Sequence, residues 1–453
     1  MFLSLPHLLM PQGQVQVNPK EFHSPTVVGF ATLPAATHRA GPPTGQFVQH
    51  EIALPSVPLP IFHQPIQGLS GAFFEADGSL TALSDNGFGQ KINSADYELC
   101  VYRLAVNPRL ESGGTGSATV LKTIKLTDPK RLAGQMVVAD LEFYPGRASD
   151  ATSAKVPVPE AIRDERILTG ADFDPESIRR ASDGTLWVGE EFGPFLLHFS
   201  SDGELLEAPI QIPVPAELQQ FARGNAHFIS PDHPQLATLE TDAERFARAN
   251  IKRSKGLEGL ALSVDGKKLY PLLEGPLVED PNQRRLVICE YLIEERRFSG
   301  RYWFYELERS LKPSPSLIPE NTKIGCCTAM PSGSLAILET DDGQGSASWC
   351  KRVYEIDLSE AATGATLSKK LLVDLLKLAD PDGISSTFGL GAGAEKDTLR
   401  LDQFCIESLV FLDSQTLLVV NDNNFGTIHG SSRVPGEPDQ NEFCFIRLPR
   451  RSE

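Results

Sequence analysis

The sequence predicts an all-β fold, a β-propeller whose ring is closed by pairing of the two chain ends. The first observation is a unit that recurs at QGLSGAFFEADGSLTALSDNGFG (67–89), DPESIRRASDGTLWVGEEFGPF (174–195), GLEGLALSVDGKKLYPLLEGPL (256–277), CCTAMPSGSLAILETDDGQG (326–345) and CIESLVFLDSQTLLVVNDNNFG (405–426). Each reads as an apolar strand, a turn that is often Asp-Gly, a second apolar strand, and an acidic or amide cluster with glycine. The second is the strand-like sequence with another turn behind the first four units, which makes four antiparallel strands per repeat, the make-up of a propeller blade. The third is that only EFCFIRL (442–448) follows the last unit. TVVGFATL (26–33) or FVQHEIAL (47–54) then supplies the missing strand and removes an exposed edge.

Aligned on the leucine after the turn (Leu80, Leu186, Leu269, Leu335, Leu417), the units lie 106, 83, 66 and 82 residues apart. A compact blade needs about 40–50. The blades therefore carry insertions, and the long first gap is read as hiding a further blade, for six in all with seven as the alternative. Residues 234–254 read as a short, charged helical insertion, and 108–119, 145–160 and 380–400 as loops rich in Gly, Ser or Pro. No second domain separates from this single unit, whose core spans about 26–448.

Lys and Arg number 42 against 59 Asp and Glu, a net charge of −17, which disfavours a nucleic-acid partner. Hydrophobic residues make up 41%, enough for a real core, and Gly 37 with Pro 34 suits many tight turns. No apolar run reaches the ~18 residues of a membrane helix, so a soluble chain is expected. The start, MFLSLPHLLMPQGQ, is apolar, but the first Lys is Lys20 and no cleavage site stands out, so it gives no clear signal peptide. The seven cysteines form no CxxC pair and read as buried, reduced thiols. The sequence specifies no oligomeric state.

Identical positions in successive blades converge on the propeller axis. Ten residues before the aligned leucine (eleven for Glu258) stand Ser70, Glu176, Glu258 and Glu407; the fourth unit has Gly325 or Cys326 there. Five residues after it stand Asp85, Glu191, Glu274, Thr340 and Asp422, preceded by Ser84, Glu190, Leu273, Glu339 and Asn421. A ring of such acids repels itself unless a cation sits among them. Oxygen donors select a hard divalent ion, Ca2+ first, so Asn86 and Asn421 join Asp85, Glu176, Glu190, Glu191, Glu258, Glu274, Glu407 and Asp422 as candidate ligands. The competing reading is that acids beside glycine only cap turns. Among cations near the repeats, which include Arg179 and Lys255, Lys91 and Arg253 are chosen to neutralise an anionic substrate.

These stretches, together with TGQFVQH, KINSADY, KRVYEIDL and NEFCFIRL, closely resemble the phytase-like family, "esterase-like activity of phytase", in the expected order over about 26–448. The resemblance implies a propeller that hydrolyses phosphate or other esters, with calcium, and an extracytoplasmic location, a cytoplasmic one being the alternative. The leading expectation is a metal-assisted hydrolase of phosphate monoesters acting on a small-molecule ester, with Glu191 or Glu258 as general base. A lactone or carboxylic-ester hydrolase, and a non-catalytic binding propeller with a structural metal, are the alternatives.

Overall fold

A computed structural model describes residues 22–145, 155–308, 322–390 and 397–450. The extreme N-terminal stretch and parts of the 145–160 and 380–400 loops lie outside these residues.

The repeat unit folds as its pattern dictates. In the first blade Leu69–Phe74 and Leu80–Ser84 form a hairpin, and Cys100–Asn107 and Ser117–Lys125 extend it outward. The second blade begins with Pro175–Arg180, the third with Leu257–Leu262 and the fourth with Lys323–Ala329, each the innermost of four antiparallel strands. The last blade runs Cys405–Phe411, Thr416–Asp422, Asn441–Arg447 and then Thr26–Leu33 from the other end of the chain. That strand pairs along Asn441–Arg447, closing the ring as expected. Residues 47–54 instead form turns, with one bridge between Ala53 and Thr427.

Each innermost strand packs against its two neighbours, and the last against the first, so the ring closes on five blades among the described residues. No sixth blade lies among the described residues. The long first gap is taken up by the connection 126–174, which carries a 3₁₀ turn at Val138–Asp140 and a short helix at Glu160–Glu165. The alternation of side chains gives every blade two apolar faces, and one hydrophobic cluster fills each interface. Trp187 sits between the second and third blades, and Trp303 between the third and fourth. The helical insertion shrinks to Asp242–Arg248, capped by the reciprocal Thr241–Glu244 pair. All seven cysteines are free and buried. No helix among the described residues is long and apolar enough to cross a membrane.

The two ends of the propeller differ. At one end the hairpins close in tight turns such as Glu75–Ser79 and Ala181–Thr185, where Asp77 and Asp183 bond the amide two residues on. Among the described residues, the connections between blades within 34–68, 126–174, 212–256 and 375–404 emerge at the other end. Long loops on a rigid scaffold mark the functional face.

Phe30 of the closing strand is fully buried and packs on Phe388 at 5.0 Å. Phe30→Ala should lower unfolding stability by about 3–5 kcal/mol, read as a shifted urea midpoint.

Candidate metal centre

One irregularity places the acids. In every blade the pairing of the innermost strand with the next skips a residue near its start: Ser70, Glu176, Glu258, Gly325 and Glu407. A bulge leaves the extra residue unpaired and bends the strand, re-aiming its side chain. This settles the fourth unit, where Gly325 holds the position. A Cβ on Gly325 would lie 2.5 Å from the carbonyl oxygen of Ile406 in the next blade, so no carboxylate fits there.

Glu176, Glu258 and Glu407, from three blades, bring carboxylate oxygens within 4.8 Å of one another. Asp174, Glu176 and Glu191 form a second such group, and Glu191, Glu258 and Glu274 a third. Asp422 joins Glu407 and the Cys405 thiol in a fourth. Asp85 lies close enough to Asp174 and Glu407 for their charges to act on it. Opposite oxygens of a Ca2+ shell stand about 4.6–5.2 Å apart, so each oxygen group matches one such ion.

Most of these carboxylates are positioned by few donors. Ser70 Oγ donates to Glu407 at 2.7 Å, the Gly256 amide to Glu191 at 3.2 Å, and the Gly87 amide to Asp85 at 2.8 Å. Asn86 Nδ2 donates to Asp174 at 2.7 Å. Asp85 packs directly over Gly68, whose φ is +64° and where a Cβ would meet Oδ1 at 1.8 Å. Among the described residues no N–H or hydroxyl group donates to Glu176 or Glu258, although both are buried; Glu176 shares a hydrogen bond only with the Asp174 carboxyl. Turn capping therefore does not explain these two.

Eight carboxylates face few cations. Lys255 Nζ lies 2.8 Å and Lys323 Nζ 3.4 Å from Glu274. One layer below, Arg179 crosses the axis: it donates to the carbonyls of Cys327 at 2.7 Å and Ala72 at 3.4 Å, from the fourth and first blades. It makes no ion pair with any described carboxylate, and it plugs the channel beneath the acids. Two full charges about 5 Å apart repel by roughly 3 kcal/mol at an effective dielectric of about 20. Several such pairs would exhaust the ~5–15 kcal/mol stability of an ordinary domain. Without a cation the centre must hold protons. Burial first, and neighbouring charges second, push Asp85, Glu176, Glu191, Glu258 and Asp422 well above the usual carboxylate range. Burial pushes Asp174 up to about 8.

Other candidates fall elsewhere. Glu190 precedes Glu191 on its strand and so points to the opposite face, where it accepts the Phe192 and Gly193 amides at 2.9 and 2.7 Å. Asn421 likewise faces away, bonding the Gln440 carbonyl and the Glu442 amide. Asn86 Oδ1 accepts the Gly89 amide, so this residue orients Asp174 and is not itself free to ligate. Arg253 is consumed by Asp232 and Asp242, at 2.7 and 3.0 Å, and Lys91 lines a side cavity with it. Asp174, Lys323 and Cys405 were missed. All three occupy the position two residues before the bulge, and the period of two along a strand was the signal that could have found them. Burial, with the nearby Glu407 charge, keeps the Cys405 thiol protonated, so the donor set is one of oxygens.

A carboxyl whose folded pKa is raised stabilises the fold below its unfolded pKa and loses that contribution as pH rises through the folded one. In EDTA the melting temperature should therefore fall from about pH 5 to about pH 8. Calcium should raise it, and most at the alkaline end, where it competes with fewer protons. A flat pH profile in EDTA, by differential scanning fluorimetry, would count against this centre.

A family model, "Phytase-like: Esterase-like activity of phytase", matches residues 64–425. An uncharacterized secreted protein of Arthroderma benhamiae is 25% identical over 318 residues, covering 64% of this chain and 60% of that relative; the chain thus spans less than two thirds of its length. Among solved structures, a GH43 β-1,3-galactosidase with galactodeoxynojirimycin aligns at TM-score 0.38 and 11% identity, over 86% of this chain and 96% of that one. The PQQ-bound aldose sugar dehydrogenase of Streptomyces coelicolor aligns at TM-score 0.32 and 10% identity, over 94% and 100%. Likeness at that level bears on neither activity nor substrate. The family match covers most of the blades and the whole acidic centre, and the chain belongs to the phytase-like family.

Proposed function

We propose that this propeller is a hydrolase of phosphate monoesters whose acidic centre holds Ca2+ or another hard divalent cation. The observation that carries the reading is the meeting of Glu176, Glu258 and Glu407 from three blades, two of them with no described N–H or hydroxyl donor. Buried carboxylates in contact are costly unless an ion takes their oxygens. Glu176, Glu258 and Glu407 would hold it, with Asp174, Glu191, Glu274, Asp85 and Asp422 around them. A cation there supplies Lewis acidity toward an ester oxygen and toward water.

The chain's own groups divide the remaining work. Glu191, oriented by the Gly256 amide, is placed to accept a proton from the attacking water as general base. Lys255 and Lys323, on the flank of Glu274, replace Lys91 and Arg253 as the groups that meet phosphoryl oxygens. Arg179 closes the channel below, so substrate enters from the face of the long loops. The uncompensated ring repels a phosphate dianion, which makes turnover depend on prior loading with cation. An extracytoplasmic setting belongs to this reading and is supported by the secreted relative.

Phosphate release from phytate and from 4-nitrophenyl phosphate should require calcium and vanish in EDTA. Glu258→Gln should lose about 100-fold or more of the turnover. Its metal-free melting temperature should be unchanged or raised, because one repelling charge is gone. Turnover of lactones or aryl acetates in place of phosphate esters would move the substrate class to carboxylic esters. A folded protein inert toward all of these, yet stabilised by calcium, would make the centre a structural metal site on a binding propeller.

A further inference from the structure

A cavity of about 910 Å³ opens on the loop face beside the first two blades, and none of the eight ring carboxylates lines it. Residues 133–141 and 232–237 form much of its wall. Its volume lies in the range of about 300–1,000 Å³ that takes small organic ligands.

The cavity holds an ammonium that no described group bonds. Lys91 lines it with its ammonium 5.2 Å from the centre of the Phe192 ring. Among the described residues this half-buried ammonium forms no hydrogen bond and no ion pair, and desolvation lowers its pKa against the pull of Asp172, Asp232 and Glu190. The nearby acids are occupied. Asp172 accepts the Val138 and Thr169 amides, both at 2.8 Å. Asp232 is held by Arg253. Two further donors are unsatisfied. His233 Nδ1 accepts the Gln235 amide, which leaves the proton on Nε2, and that atom has no partner. Arg245 Nε is also buried without one. Val137, Leu141 and Phe195 supply an apolar wall. A half-buried ammonium without a hydrogen-bond partner offers an anion a charge-assisted contact.

We infer that this cavity binds a small aromatic oxyanion, its phosphate or carboxylate head against Lys91 and its ring on the apolar wall. Binding here does not require hydrolysis at the acidic centre, so either reading can fail without the other.

The test is calorimetric titration of the EDTA-treated full chain with 4-nitrophenyl phosphate and, separately, 4-nitrobenzoate, with neutral 4-nitrobenzyl alcohol as control. Saturable binding of either anion is expected, weakened at least tenfold in Lys91→Met and kept in Lys91→Arg. Binding of both anions would assign an oxyanion site in general; binding of the phosphate alone would assign a phosphate site. The melting temperature of ligand-free Lys91→Met should be unchanged or higher, since a partly desolvated ammonium with no bonded partner has been removed. Absence of binding by both anions, equal binding by Lys91→Met, or alcohol binding as tight as the anions would overturn the proposal. A clear drop in the variant's melting temperature would make Lys91 a structural residue and overturn it as well.

Discussion

Glu176, Glu258 and Glu407 meet at the axis because the innermost strand of each blade skips one residue of its pairing. Strict alternation would set the position before and the position after each glutamate on the opposite face from it. The skip frees the glutamate from the ladder, and the strand bends toward the channel there. The same device recurs where it yields no acid, at Ser70 and Gly325. It is a property of the blade that sequence then fills or leaves empty. Ser70 spends its position on a hydrogen bond to Glu407, and Gly325 yields its position to the backbone of the next blade.

Repulsion among those acids shapes the rest of the centre. Compensation comes from one side only. The fourth blade offers no carboxylate at either ring level, placing Gly325 and Thr340 there, and sends in Lys323 instead. Arg179 adds positive charge from below while spending its donors on main-chain carbonyls, so it closes the channel without neutralising any single acid. The result is a centre with acids from four blades, lysines on one flank and a sealed floor. In the proposed function an ion is drawn to the acids, and an anionic substrate meets the lysines as it approaches.

Much of this was legible in the sequence, for a physical reason. Repeats that converge on an axis turn a one-dimensional recurrence into a three-dimensional contact, so aligning the leucines of five units was enough to group Glu176 with Glu258 and Glu407, and Asp85 with Glu191, Glu274 and Asp422. Closure by Thr26–Leu33 followed from the missing strand of the last unit. The blade count did not follow, because spacing alone cannot separate an extra blade from the long connection 126–174. The cations were the least legible. Lys91 and Arg253 lie close in sequence to repeat units, but loops carry them into the side cavity, where two aspartates engage Arg253. Lys323 reaches the acids from a strand position whose register only the bulge fixes.

The capping explanation of acids at strand ends holds for some residues and fails for others, and the division is informative. Glu190 takes two turn amides, and Glu339 takes the Tyr305 hydroxyl, the Glu308 amide and Thr322 while pairing with Lys369. Asp341 takes the Gly343 and Trp349 amides. Such groups are satisfied and stabilise the loops. Glu176 and Glu258 have no described N–H or hydroxyl donor, and Lys91 has no described acceptor. Most buried polar groups of a native fold find partners, so charged groups left without a donor or acceptor are where something outside the chain can bind. In the proposed readings, acids left over at the axis select a cation, and an ammonium left over in the neighbouring cavity selects an anion. The two lie on the face where the long connections gather, the arrangement that the proposed function requires of a surface that handles charged small molecules.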